Sequence, residues 1–207
     1  MNHRLILAVL LPLLGLAACN RDKPAEPASQ AAAPAVVEAP AEAPAMDAPP
    51  MEALEPSATL ASASAALKPA SGSQVTGTVN FTESAEGLRL VADISGLGAG
   101  KHGFHVHEKG DCSDPEAKSA GDHFNPGAQP HGAPDATARH AGDLGNIMAD
   151  AKGHATLDTT LHGVSLSGPD GLVGRGLIVH AQEDDLSSQP SGNAGARVAC
   201  AVIEAAA

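Results

Sequence analysis

Polar and apolar residues alternate one by one over two stretches that begin near Gln74. Val75, Gly77, Val79 and Phe81 interleave with Thr76, Thr78 and Asn80, and Leu88, Leu90, Ala92 and Ile94 interleave with Arg89, Val91 and Asp93. A period of two puts each apolar set on one face, so both stretches are expected to be half-buried strands joined by a turn over Glu83–Gly87. Further strands are expected at Gly103–His107, Asp143–Ala149, Ala155–Leu161, Gly176–His180 and Arg197–Ile203, most of them separated by Gly- and Asp-rich turns. No stretch of this region carries a helical period. The expected architecture is all-β: an antiparallel sandwich or closed barrel of about eight strands. Two connections, Glu108–Ala141 and Ala181–Ala196, are long and poor in strand character, and long loops inside a compact domain usually carry function.

The N-terminal third has a different texture. Leu5–Leu16 is an apolar run behind Arg4, too short for a comfortable membrane span and ordered like a signal peptide, and it ends Leu16-Ala17-Ala18-Cys19. That ending resembles the lipobox of bacterial lipoproteins, which implies residues 1–18 as signal peptide and acylation of Cys19. Residues 19–73 then read as a lipidated, disordered Ala/Pro-rich linker, and 74–207 as the folded domain. Ala, Pro, Glu and Ser dominate Asn20–Ser73 without a sustained period, so little apolar surface is there to offset chain entropy. As a polyproline-like spacer of some fifty residues it could reach about 150 Å. Asn20 rather than Asp after Cys19 favours the outer membrane, which places the domain in the periplasm or cell envelope.

Composition narrows the chemistry. Trp and Tyr are absent and only three Phe are present, so the core is aliphatic. The formal charge of −12 excludes a basic nucleic-acid footprint. An anionic substrate would need a local positive group. Cys19, Cys112 and Cys200 are the three cysteines, and lipidation of the first leaves two.

Six of the ten histidines form a pattern. His105 and His107 flank Val106 and share a strand face. His123, His131 and His140 follow in the first long loop, with Asp143 three residues beyond His140, and His180 ends a later strand. Imidazole suits zinc and copper, and a carboxylate suits zinc. Seven ligands exceed one tetrahedral ion but serve two ions if one imidazolate is shared. His102, His154 and His162 are read as ordinary surface or loop histidines.

Four segments resemble copper/zinc superoxide dismutases: Gly103-Phe104-His105-Val106-His107, Ser119-Ala120-Gly121-Asp122-His123-Phe124-Asn125-Pro126, Arg139-His140-Ala141-Gly142-Asp143-Leu144-Gly145-Asn146, and Gly192 through Cys200. The resemblance runs from about Gln74 to the end. It implies a Greek-key, immunoglobulin-like sandwich or flattened barrel. Copper would be held by His105, His107, His123 and His180, and zinc by His123, His131, His140 and Asp143, with His123 shared. It further implies that Asp184 accepts from His105 and His131, that Arg197 is the active-site cation, and that Cys112 and Cys200 form a disulfide worth roughly 4–5 kcal/mol in the chain-entropy model. The implied activity is disproportionation of superoxide to dioxygen and hydrogen peroxide on a copper redox cycle, with His123 holding and returning a proton and zinc not changing redox state. A non-catalytic copper/zinc carrier on the same fold is the alternative. Family members occur as monomers and dimers, so a homodimer is open.

The second loop departs from the family. Leu186–Ser191 lacks the charged cluster that steers substrate in eukaryotic relatives, and Pro190 and Ser191 stand where lysine and threonine are expected. Lys109 or Lys118, in the first loop, is expected to take over steering.

Overall fold

A computed structural model describes residues 61–206. The signal segment, Cys19 and most of the linker lie outside the described residues. Among the described residues nine strands occur in chain order: β1 Ser62–Pro69, β2 Thr76–Ser84, β3 Gly87–Ser95, β4 Gly100–His107, β5 Asp143–Ala149, β6 Ala155–Leu161, β7 Gly176–His180, β8 Arg197–Val202 and the short β9 Glu204–Ala205. One 3₁₀ turn, Lys118–Ala120, interrupts the first long loop. The spatial order is β2-β3-β6-β5-β4-β7-β8-β1-β9, and β1 also pairs with β2, so the sheet closes on itself. Every described pairing is antiparallel. The run β7-β4-β5-β6 has three consecutive neighbours with the fourth strand returning beside the first, a Greek key.

The alternating patterns decide the inside. Val79, Phe81, Leu88, Leu90 and Ile94 are buried in one aliphatic cluster with Phe104, Val106, Leu177 and Val179. Val75 joins this core one residue before β2 begins.

The domain boundary at residue 74 needs correction. Ser62–Pro69, assigned to the linker, is the strand that closes the barrel: it pairs with β2 from Ser62↔Thr82 to Leu67↔Gly77 and with β8 at Lys68↔Cys200. Its period of two is real, since Ala63, Ala65 and Leu67 are buried while Ser64, Ala66 and Lys68 are exposed. Alanine hid it. A buried Ala65 and an exposed Ala66 are the same residue type, so the segment blends into the Ala-rich stretch before it.

The ladders of β4 and β7 are irregular next to their histidines. The β4–β5 register shifts between Gly103 and His105, and the β7–β8 register shifts between Val179 and His180. Such bulges turn side chains out of the regular alternation. Beyond its core residues Phe104 and Val106, β4 presents His105 and His107 to the outside of the barrel, and both are nonetheless buried. What covers them is the pair of long loops, 108–142 after β4 and 181–196 after β7.

Candidate metal centre

His105, His107, His123 and His180 bring one ring nitrogen each within 4.8 Å of the others, and all four residues are buried. His105 Nδ1, His107 Nε2, His123 Nε2 and His180 Nε2 have no hydrogen-bond partner. A buried polar atom without a partner is costly, and four of them facing one another call for an ion. The opposite nitrogens explain why lone pairs face inward. His107 Nδ1 donates to Gly121 O at 2.9 Å, His180 Nδ1 to Gly195 O at 3.1 Å, and His105 Nε2 to Asp184 Oδ2 at 2.8 Å. Carbonyls and carboxylates only accept, so each ring's proton sits on the outer nitrogen and its lone pair is turned to the centre.

A second group shares His123. The Nδ1 atoms of His123, His131 and His140 stand 2.9, 2.9 and 3.1 Å from Asp143 Oδ1. His131 also places Nε2 2.9 Å from Asp184 Oδ1. Its one neutral-state proton serves Asp184, which leaves its Nδ1 lone pair aimed at an anionic oxygen. Two electron-rich atoms in contact need a cation between them, so the donor set fits zinc. Asp143 Oδ2 is held by the backbone N–H groups of Gly132 and His140. Asp184 is fully buried and links the groups: one oxygen faces His105 and the other His131. Asn146 fixes it in turn, exchanging hydrogen bonds with its backbone N–H and C=O.

The cavity beside the first group has a volume of about 420 Å³ and is lined by His107, His123, His180 and Arg197 together with Glu108 and Asp122. Arg197 is half-buried and donates to Ala117 O and Gly121 O at 2.7 Å each. Two carbonyls thus fix the guanidinium while other N–H groups stay free. Cys112 and Cys200 are bonded, tying the loop that carries those carbonyls to β8.

The two lysines expected to steer stand apart from the lining of this cavity. Lys109 lines a separate hollow with Arg175, and Lys118 is exposed and paired with Glu116. Neither lysine lines the cavity beside the first histidine group, whose charged wall is Arg197 against Glu108 and Asp122. His102 is also corrected. It is buried on β4, with Nδ1 2.9 Å from His180 O and Nε2 2.9 Å from Gly98 O. His154 and His162 are exposed as expected. The carbonyls of Ala117, Gly121 and Gly195 had no signal in the sequence, because every residue has a carbonyl.

Burial lowers the pKa of His105 to about 4, His180 to about 3 and His107 well below its usual value. For His131, burial pulls downward but Asp184 and Asp143 outweigh it and raise the value. For Asp143, burial pushes upward but His123 and the backbone N–H groups win and hold it low. The depressed histidines set a sign. The unfolded chain takes up protons near pH 6.5 and the folded chain only near 3–4, so acid favours unfolding across that window. Asp143 and Asp184, also depressed, work in the same direction at lower pH. The metal-free protein is expected to lose on the order of a few kcal/mol between pH 6.5 and 4. Urea titrations across that range check this, and constant stability would contradict it.

Residues 75–203 match the family model described as copper/zinc superoxide dismutase. Over 136 residues the chain is 45% identical to a Caenorhabditis elegans protein described as extracellular superoxide dismutase [Cu-Zn], a stretch covering 63% of this chain and 61% of that relative. The chain therefore spans about three-fifths of the length of this curated relative. Among solved structures it is similar to one described as the clock protein EA4, with 41% identity and a TM-score of 0.64, covering 70% of this chain and 95% of that one.

Proposed function

The chain belongs to the copper/zinc superoxide dismutase family, and from that premise we propose that it disproportionates superoxide, with copper held by His105, His107, His123 and His180 and zinc by His123, His131, His140 and Asp143. The observation that carries this reading is the set of four buried, unpartnered ring nitrogens facing one another, three of whose residues, His107, His123 and His180, line the cavity with Arg197. Bound copper supplies one-electron redox chemistry, by which two superoxide anions and two protons become dioxygen and hydrogen peroxide.

The protein's own groups do the rest. Arg197 offers its free N–H groups to an anion entering the cavity, and its carbonyl anchors keep it aimed there. His123 has a nitrogen in each group, so its Nε2 is the atom at which a proton can be held and returned while Nδ1 stays with Asp143 and its neighbours. Asp184 keeps the His105 and His131 rings in one tautomer.

The reading extends to the envelope. Lipidation at Cys19 would tether the domain through the linker, and the Cys112–Cys200 disulfide suits the oxidising compartment that this requires. A secreted relative is of the same kind. There the enzyme would protect the cell envelope from oxidative damage.

The test is to express the full chain in a bacterial host, measure bound metals, and assay superoxide removal with and without copper. One copper and one zinc per chain with copper-dependent activity is the expected result. Zinc without copper-dependent activity would move the assignment to a metal carrier. The cavity wall adds a prediction. The carboxylates of Glu108 and Asp122 line the same cavity as Arg197 and repel an incoming anion, so Asp122→Asn is expected to raise the bimolecular rate about two- to four-fold at low ionic strength. The gain should shrink as salt screens the charges. Rates measured by pulse radiolysis that match the unaltered enzyme at every salt concentration would count against it.

A further inference from the structure

His131 sits in the first long loop between Pro130 and Gly132, outside any strand. Its backbone has one partner on each side, and both belong to the same residue. The His131 N–H donates to Gln189 Oε1 at 2.8 Å, and Gln189 Nε2 donates to His131 O at 2.9 Å across a separation of 58 residues. A side-chain amide thereby makes the two-bond contact that a neighbouring strand would make.

The second loop is built to present that amide. Asp185 Oδ1 accepts from the N–H groups of Ser187 and Ser188, and its other oxygen accepts from Asn193 Nδ2. Gly192 N–H donates to Ser188 O, and Asp185 N–H to Gly192 O. Gly192, at φ +65°, lies against the Asp184–His131 pair. A Cβ there would fall 1.8 Å from Asp184 Oδ1 and 2.7 Å from His131 Nε2. The loop is folded down onto the back of the ring whose front faces Asp143.

We propose that Gln189 is a positioning residue for zinc, clasping the backbone of His131 so that its Nδ1 stays aimed at the His123–His140–Asp143 group. Without the clasp, a buried histidine's backbone N–H and C=O lose their partners, and the ring is held by its side-chain contacts alone. The second loop has no other side chain reaching His131's backbone among the described residues.

The inference rests on the zinc assignment above, and its test separates the two. Zinc affinity is measured on the full chain by competition with a chelator, for the unaltered protein, Gln189→Leu and Gln189→Glu, with the visible absorption of bound copper as a second readout. Gln189→Leu keeps size and removes both hydrogen bonds, and is expected to weaken zinc binding ten- to hundred-fold. Gln189→Glu keeps the acceptor for the His131 N–H and is expected to fall between. The copper spectrum and copper affinity should hold in both. Zinc affinities within two-fold of the unaltered protein would overturn the clasp, as would copper and zinc weakening in equal proportion, which marks general loosening. An unaltered protein that holds no zinc would overturn the metal assignment and the clasp with it.

Discussion

His180→Ala is expected to reduce superoxide removal at least about a thousand-fold, a loss of roughly 4 kcal/mol or more in transition-state terms, while zinc stays bound. The side chain stands at the end of β7, where the register shift against β8 turns it toward the first histidine group. Its Nδ1 is committed to Gly195 O, and its Nε2 is one of the four unpartnered nitrogens. Alanine removes one of the four proposed copper ligands and opens the cavity wall to water. None of the contacts around Asp143 involves His180, so the second group should survive. Metal analysis and activity on one preparation check both halves. Full activity with one copper per chain would show that the reacting metal lies elsewhere, and loss of zinc together with copper would show that the two groups are not separable.

Cys200→Ala is expected to lower stability by about 2–5 kcal/mol. For a domain of this size that amounts to a fall in Tm of about 5–15 °C. The bond joins residues 88 apart, and Cys200 itself is buried with Ala117, Ala120 and Ile178 beside it. A second effect separates this variant from a merely weaker fold. Ala117 and Gly121, whose carbonyls hold Arg197, lie in the tied loop, and Gly121 O also receives the proton of His107 Nδ1. Freeing the loop should let the guanidinium wander, so activity at 10–20 °C, well below the lowered Tm, should drop as well. Retained activity at these temperatures would show that the loop holds its place by packing alone. The same fall should follow reduction of the unaltered protein and reverse on reoxidation.

Much of the barrel was legible because strands with large and small residues on opposite faces announce themselves. β2 and β3, read from alternation, and β4 differ from expectation only at their ends, and β5, β6 and β7 have the bounds expected. β1 was not legible, because alternation between Ala and Ser or Ala carries almost no contrast in size or hydropathy. β9, two residues long, has no period to detect. The metal centre was legible as a set of ligand types, since imidazoles and a carboxylate are rare enough together to stand out. His102 was misread because it lies one residue before the expected strand Gly103–His107, and there it looks like any surface histidine until its carbonyl partners are in place.

What the order of residues along the chain could settle was local: which side chains share a face, where the chain turns, and which atoms have the chemistry to hold a metal. These depend on neighbours one to four residues away. The fold alone decided which lone pairs face inward, that Arg197 is aimed by two carbonyls, and that Gln189 reaches His131. Each of these is a hydrogen bond or approach of about 3 Å between segments tens of residues apart. At that range a displacement of one ångström makes or breaks the contact, and only the closed barrel with both loops laid over it holds such distances.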